Sequence, residues 1–174
     1  MELTDVLARR RSTRRFTDEP LTDGELSQIL MAGQTAPLAA GDDKTTHMTL
    51  VKDLTLLDEI REVCAMRRKT GERVDALYNA RALVLVSAAD VSEDHIEYCN
   101  AGCVIENMHL RATDLGLGSV YIWGCLRKLR ADGALVAKLG LPEGYEILSA
   151  LALGHAEAPL EPREYKDKIS VNII

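Results

Sequence analysis

Aromatic residues are scarce in this chain, and long apolar runs are absent from it. One Trp, one Phe and five Tyr make up 4% of its 174 residues. Base-stacking surfaces and membrane-interface belts are both built from aromatic side chains, and no apolar run approaches the roughly 18 residues that a membrane span needs. The composition therefore argues against a nucleic-acid-binding module and against a membrane protein.

An excess of positive charge is also missing. The 21 Lys and Arg residues stand against 27 Asp and Glu, which gives a formal net charge of −6. This balance disfavours general binding to nucleic acid, although a local basic patch can still hold a phosphate. Hydrophobic residues make up 47% and charged residues 28%, as in ordinary folded proteins. We expect one domain over residues 1–174.

Neither an export signal nor a dense cysteine framework is visible. The first residues, Met-Glu-Leu-Thr-Asp, lack the apolar core of a secretory signal. We therefore expect a cytoplasmic protein whose four cysteines, Cys64, Cys99, Cys103 and Cys125, are free thiols. Cys99 and Cys103 are four residues apart on a predicted helix, with His95 four residues before them. This face is either a set of metal ligands or a row of small core residues.

Hydrophobic periodicity predicts more helix than sheet. Helices are expected over 2–10, from Thr22 to about Gln34, from Asp53 to near Gly71, from Ser92 to Leu115 and over 127–139. Strands are expected over 46–52, 82–89, 119–123 and 145–153. The order of these elements predicts an α+β or α/β sandwich with four or five strands.

The helix from Ser92 to Leu115 is apolar on more than one side. Small or apolar residues at helical spacing are Ala101, Val104, Ile105, Met108, Ala112 and Leu115. A second side carries Ile96, Cys99, Cys103 and Leu110. Because such a helix must be covered on both sides, it is either central to the domain or buried by a second subunit.

The most informative local feature is a basic run after the first helix, Arg9-Arg10-Arg11-Ser12-Thr13-Arg14-Arg15-Phe16. The guanidinium groups of Arg10, Arg11 and Arg14 are suited to bidentate hydrogen bonds with phosphate oxygens, and the Ser12 hydroxyl can add a further contact. From the residues alone, a phosphate site and a solvated basic face paired with carboxylates are equal alternatives.

Glycines flank the strand predicted over 119–123. Gly116-Leu117-Gly118 is only part of a dinucleotide-binding fingerprint, because Tyr121 stands at the third glycine position and the helix comes before the strand. A tight turn is the preferred interpretation. Gly124, after Trp123, would let a flat ligand approach the backbone. The alternative there is a simple turn with Trp123 in the core.

No catalytic side-chain motif is visible. The four histidines, His47, His95, His109 and His155, lie in no hydrolase or metal-binding pattern, and no serine has the glycines of a nucleophile elbow. We assign no catalytic side chain and no metal from the sequence. A bound cofactor that carries the chemistry fits better.

Four segments occur in the order and spacing of one known family. They are the arginine motif from Arg10 to Phe16, Ala36-Pro37, the helix and glycine turn from Ala101 to Ser119, and the last strand from Leu141 to His155. They are similar to that family's flavin-phosphate motif Arg-Arg-Ser-x-Arg-x-Phe, its Ala-Pro-Ser loop, its interface helix and its final strand. Over nearly its whole length, the chain resembles the nitroreductase family of FMN-dependent NAD(P)H oxidoreductases.

The resemblance implies a nitroreductase-like α+β sandwich, with a mostly antiparallel sheet of four to five strands flanked by helices. It also implies a homodimer with a domain-swapped tail and an FMN in each of two interface clefts. Arg10, Arg11, Ser12 and Arg14 would hold the phosphate and ribityl chain, and Arg163 would add a second phosphate contact. The backbone N–H groups of Trp123 and Gly124 would meet the flavin ring, and Pro37 and Leu38 would line it from the other subunit.

The implied function is hydride transfer from NAD(P)H through the flavin to a small acceptor such as a nitroaromatic, a quinone or a flavin. One departure from the family's sequence pattern supports a different function. After Pro37 the chain continues Leu-Ala-Ala-Gly-Asp-Asp-Lys-Thr, without the serine and two amides of the family's Pro-Ser-Ala-x-Asn-x-Gln-Pro loop. The alternative is a flavin-binding or structural dimer without reductase activity. A metal-dependent regulator that uses His95, Cys99 and Cys103 is a third hypothesis.

We expect the protein to be a dimer at every workable concentration, because a second copy would cover the outer side of the helix from Ser92 to Leu115. Sedimentation velocity over a wide dilution range measures this. A stable folded monomer would remove the interface hypothesis.

Overall fold

A computed structural model describes residues 1–41, 44–166 and 168–174. The helices in these ranges are α1 (Leu3–Arg9), α2 (Asp23–Gln34), α3 (Leu54–Cys64), α4 (Ile96–Asp114), α5 (Leu126–Ala131) and α6 (Gly133–Lys138). The strands are β1 (Thr46–Val51), β2 (Met66–Arg67), β3 (Arg73–Val74), β4 (Ala82–Ala89), β5 (Gly118–Ile122) and β6 (Tyr145–Gly154). A short 3-10 turn spans Ala39–Gly41.

Four strands form one antiparallel sheet in the order β1-β4-β6-β5. The central strands β4 and β6 are buried over almost their full length, which explains why their sequences are continuous apolar runs. Leu83 and Leu85 face a core formed with α3, α5 and α6. Val84 and Val86 face a second core, formed with α2 and α4. The α+β sandwich with helices on both faces of the sheet is therefore confirmed.

Local capping explains where several helices begin and end. The Thr22 hydroxyl accepts a hydrogen bond from the Glu25 N–H, and the Glu25 carboxylate accepts one from the Thr22 N–H, so the predicted capping box opens α2. At the end of α4, Gly116 has a φ of 79° and the N–H of Leu117 donates to the carbonyl of Ala112. This is the tight turn that the sequence indicated.

Three helices differ from their predicted bounds, and one of them, α4, begins at Ile96 rather than at Ser92. The helix after Asp53 ends at Cys64 rather than near Gly71, and a β2–β3 hairpin follows, with Gly71 at a φ of 87° in its turn. This segment is highly charged and lacks apolar residues at helical spacing. The predicted helix over 127–139 is divided at Asp132, whose carboxylate accepts a hydrogen bond from Leu135 and starts α6.

The arginine motif is anchored to the sheet by Phe16, which lies across a pair of glycines. Gly118 on β5 and Gly154 on β6 are opposite each other in the register. A Cβ atom on Gly154 would lie 2.9 Å from the Phe16 ring, and one on Gly118 would lie 2.7 Å from Cγ2 of Thr13. The two glycines thus leave the space in which Phe16 and Thr13 pack.

Substitution Gly154→Ala should destabilise the protein by about 1–3 kcal/mol, because the added methyl group overpacks the Phe16 ring. Urea unfolding measures the change in the free energy of unfolding. Gly133→Ala is the matched control, because no atom lies within 4 Å of a Cβ built there. Equal stability of the two variants would show that Phe16 moves aside without cost.

Candidate functional site

A groove beside the arginine motif consists of two cavities that share one lining residue, Tyr78. The wider part, a cavity of about 410 Å³, is bordered by Arg14, Arg15, Phe16 and Tyr78, and also by the carboxylate residues Asp75 and Glu157. The narrower part, about 150 Å³, is bordered by Tyr78, Tyr121, Trp123, Gly124 and Cys125. Because Tyr78 belongs to both, we call the two parts together the Tyr78 groove.

The edge of the sheet positions the basic side of this groove. Ser12 forms a parallel bridge with Ser119 of β5, and the Thr13 N–H donates to the Ser119 carbonyl at 2.9 Å. The Thr17 N–H donates to the carbonyl of His155 at 2.9 Å. Between these anchors Arg14 is exposed, and its guanidinium carbon lies 5.9 Å from the centroid of the Tyr78 ring. Such a cation–π contact keeps the charge at the mouth of the groove.

A strained turn positions Tyr78 itself. The Asp75 carboxylate accepts hydrogen bonds from the N–H groups of Leu77 at 2.7 Å and Asn79 at 2.6 Å. Tyr78 and Asn79 have φ values of 58° and 63°, a region that a bulky residue such as Tyr rarely adopts. The sequence prediction did not include Asp75 or Tyr78. The available signal was an Asp followed four residues later by Asn, both of which favour turns.

Arg10 belongs to a network behind the motif. Its Nε lies 3.3 Å from a carboxylate oxygen of Glu106, and the other Glu106 oxygen lies 3.6 Å from Nδ1 of His109. Nε2 of His109, which is 2% exposed, lies 3.1 Å from the Arg11 carbonyl. The hydrogen bond with His109 and the charge of Arg10 hold the pKa of the Glu106 carboxyl below its usual value, and burial opposes them. This network fixes the backbone at Arg11.

Arg11 and Arg163 connect the tail to α1. The Arg11 guanidinium donates to the carbonyl oxygens of Arg9 and Glu161. The Arg163 guanidinium donates to the carbonyl oxygens of Ala8 and Arg10, where the end of a helix is partly negative. Both guanidinium groups are therefore held on main-chain carbonyls. Within the described ranges, Arg14 and Arg15 form no ion pair, whereas Arg10 of the same run is paired with Glu106.

The structure places Pro37 and Leu38 away from the Tyr78 groove. Leu38 borders a separate cavity of about 370 Å³ between α2 and β1, and no residue of that cavity borders the groove. The adjoining loop is held on α4 by a hydrogen bond from the Ala39 N–H to Asn100. The two carboxylates that distinguish the loop, Asp42 and Asp43, lie outside the described residues.

Trp123 and Gly124 form the far end of the groove. Trp123 is 59% exposed, so the alternative that it fills the core is wrong. Gly124 is also exposed, and no atom lies within 4 Å of a Cβ built on it. The backbone at this turn is therefore open to a flat ligand.

The outer face of α4 (Ile96, Cys99, Gly102 and Cys103) is largely open to solvent in the single chain. Cys99 and Cys103 are exposed, so the alternative that they are small core residues is wrong. Among the described residues, no group of three His, Cys, Asp or Glu side chains could hold a metal ion, so His95, Cys99 and Cys103 are not gathered into a set of ligands. No described helix has the length and apolarity to cross a bilayer.

Replacing Glu106 with Gln should make the free energy of unfolding fall less steeply as the pH is lowered. The lowered pKa of Glu106 stabilises the folded state above its unfolded value of 4.5, and this stabilisation is lost as the pH falls through the folded pKa. Because the carboxylate is 46% exposed, the contribution at neutral pH is under about 1 kcal/mol.

Urea unfolding at neutral and acid pH tests this expectation. From neutral to acid pH, the free energy of unfolding should fall less for Glu106→Gln than for the wild type. Glu143→Gln serves as the control, since Glu143 is exposed and forms no ion pair with a described residue. If the free energy of unfolding falls equally in the wild type and in Glu106→Gln, the network of Arg10, Glu106 and His109 is contradicted.

Known proteins resemble this chain over nearly its full length. The NADPH-flavin oxidoreductase of Vibrio harveyi is 28% identical over 184 residues, which cover 98% of this chain and 71% of that protein. The FMN reductase [NAD(P)H] of Bacillus subtilis is 29% identical over 191 residues, covering 94% and 71%. A solved nitroreductase with bound FMN from Bacteroides fragilis has a TM-score of 0.80 and 27% identity, covering 100% of this chain and 99% of that one.

A family model points the same way as these relatives. The model of the Nitroreductase family matches residues 7–155, which include the arginine motif, the Tyr78 groove and the glycine pair beneath Phe16. The chain therefore belongs to the nitroreductase family.

Proposed function

We propose that this protein is an NAD(P)H-dependent flavin oxidoreductase, built as one domain over residues 1–174, that holds FMN in the Tyr78 groove and reduces a small acceptor. The observation that carries the proposal is the composition of the groove. Arginines without carboxylate partners stand at one end, an open glycine backbone stands at the other, and an aromatic ring lies between them. The names of the relatives support the same activity.

The basic end suits a phosphate. Arg14 and Arg15 border the wider cavity, and a planar guanidinium matches phosphate oxygens with paired hydrogen bonds. Asp75 and Glu157 border the same cavity, but neither forms an ion pair with Arg14 or Arg15 within the described residues, which leaves both guanidinium groups available to an anion. Arg10 and Ser12 lie on the same anchored segment, and we propose that they contact the phosphate as well.

The other end suits a flat ring. Gly124 leaves room for a ring to approach the main chain, and the exposed faces of Tyr121 and Trp123 stand beside it. Bound FMN accepts a hydride from a nicotinamide and returns it to an acceptor. The chain's own part is to bind, orient and shield the ring, and none of its side chains needs to transfer a proton. The narrow end favours small, flat acceptors such as nitroaromatics, quinones or free flavins.

A second copy would complete the site. The outer face of α4 is exposed beside two exposed residues of α1, Leu3 and Leu7, and an exposed apolar surface of this kind is typical of an interface. We propose that a partner packs against this surface and contributes Pro37 and Leu38 to the groove. This arrangement explains why both residues lie away from their own groove.

The C-terminal tail has the pattern of a strand that packs on another subunit. Ile169, Val171 and Ile173 alternate with polar residues and are each at least 80% exposed, whereas the preceding Arg163 is held on α1. Alternation with a period of two is typical of a half-buried strand. We propose that these residues cross to the partner and form the domain-swapped part of the dimer.

Anaerobic reduction separates the proposed reductase from a flavin-binding or structural dimer. Purified protein loaded with FMN should lose its yellow colour when NADH or NADPH is added without oxygen, and the colour should return when a quinone is added. A flavin that stays oxidised with both nicotinamides, although it is bound, would favour the non-enzymatic alternative.

Arg14→Ala should weaken FMN binding about tenfold or more, because a hydrogen bond between charged groups contributes about 1.5–3 kcal/mol. Flavin fluorescence titration measures the dissociation constant. Arg127→Ala is the control, since Arg127 is exposed on α5 and does not border the groove. If the two variants retain flavin equally, the phosphate does not bind at Arg14.

A further inference from the structure

The β2–β3 hairpin forms one rim of the Tyr78 groove and carries an excess of positive charge. Met66 of β2 borders the narrow part of the groove, and Val74 of β3 borders the wider part. Residues 65–74 contain four cationic side chains and one carboxylate, and all five of these side chains are exposed. The hairpin is therefore a basic surface directly beside the place proposed for the flavin.

The pairing of the two strands assigns the first cations to one face of the hairpin. Met66 lies opposite Val74, and Arg67 lies opposite Arg73. Because side chains alternate between the two faces along a strand, the two arginines point away from the groove that Met66 and Val74 border. The ion pair between Arg73 and Glu62 of α3 lies on that far side.

The next pair of residues returns to the groove side. The Arg68 N–H donates to the carbonyl of Glu72 at 2.9 Å, which continues the ladder, so Arg68 and Glu72 share the face of Met66. Arg68 lies two residues beyond Met66, which is about 7 Å along the strand. Lys69 follows in the exposed turn and forms no ion pair with a described residue. The groove side thus presents a guanidinium and an ammonium just beyond the narrow part.

The carboxylate partner of Arg68 is easily replaced. Nη1 of Arg68 lies 2.8 Å from a Glu72 carboxylate oxygen, and the two side chains are 63% and 59% exposed. Ion pairs between exposed groups contribute little, because solvent screens both charges. A phosphate offers a guanidinium the same paired oxygens as a carboxylate. Arg68 can therefore exchange Glu72 for a phosphate at little cost.

The stability of the hairpin does not explain its charge. Like charges directly opposite each other destabilise a strand pair, and Arg67 lies opposite Arg73. Arg73 is compensated by Glu62, whereas Arg67 donates to the carbonyl of Gly71 and forms no ion pair with a described residue. Two strands of two residues each have little other stabilisation. An anion bound beside the hairpin would compensate this charge.

We propose that Arg68 and Lys69 bind the pyrophosphate of NAD(P)H while its nicotinamide lies over the flavin ring in the narrow part of the groove. This inference rests on the proposed function and names the residues that recognise its hydride donor. One ribose separates the nicotinamide of NAD(P)H from the pyrophosphate, which suits the about 7 Å between Met66 and Arg68. Because NADH and NADPH share the pyrophosphate, the hairpin binds both of them.

Equilibrium dialysis of NAD⁺ and NADP⁺ against FMN-loaded protein at low salt measures binding without turnover. Replacing both Arg68 and Lys69 with Ala should weaken the binding of both dinucleotides about tenfold or more, because charged hydrogen bonds are lost. Arg67→Ala is the matched control, since it removes a neighbouring charge from the opposite face, and it should change binding less than about twofold. Glu72→Gln frees Arg68 and should strengthen binding about twofold or more, a direction that damage to the hairpin would not produce.

Reduction of the bound flavin separates this inference from the proposed function. NADH and NADPH should reduce the double variant about tenfold less efficiently than the wild type, whereas N-benzyl dihydronicotinamide, a hydride donor without phosphate, should reduce both proteins equally. If no donor reduces the wild-type flavin, the proposed function fails, and dialysis still decides where the dinucleotide binds.

Three results of the dialysis would overturn the proposal. The first is equal binding by the wild type and the double variant. The second is an equal loss of binding in Arg67→Ala, which would show a general effect of charge. The third is a loss confined to NADP⁺, which would place the additional phosphate of NADP⁺ at the hairpin instead of the pyrophosphate.

Discussion

The packing of one ring on two glycines determines where the basic motif lies. Phe16 rests on the Gly118–Gly154 pair, and main-chain hydrogen bonds from Thr13 and Thr17 hold the segment on either side of it. A larger side chain at either glycine would displace the ring and, with it, the arginines that precede it in the chain. The sheet therefore positions the charge of the motif through apolar contact, and Arg14 forms no ion pair among the described residues.

The Tyr78 groove combines binding elements from distant parts of the chain. The motif supplies charge, the turn held by Asp75 supplies the ring of Tyr78, and the end of β5 supplies an open backbone at Gly124. Cys125 follows Gly124 directly and borders the same narrow part of the groove.

Local sequence patterns made most of the fold predictable. The capping box at Thr22 and the apolar run over 82–89 each correspond to an element in the structure, because local chemistry determines them. The hairpin after Cys64 and the break at Asp132 were not predicted, since a charged segment and a single capping carboxylate are weak signals. The arginine motif predicted the basic end of the site. The place of Tyr78 in the groove was not predictable, because its turn meets the motif only when distant segments of the chain pack together.

A crystal structure of the wild-type protein grown with FMN tests the central claim most directly. We predict two copies packed along α4, with phosphate oxygens within about 3 Å of the Arg14 guanidinium nitrogens and the ring beside the backbone of Gly124. Pro37 and Leu38 of the second copy should lie against that ring. A flavin bound elsewhere, or a Tyr78 groove filled by protein side chains with no anion at Arg14, would contradict it.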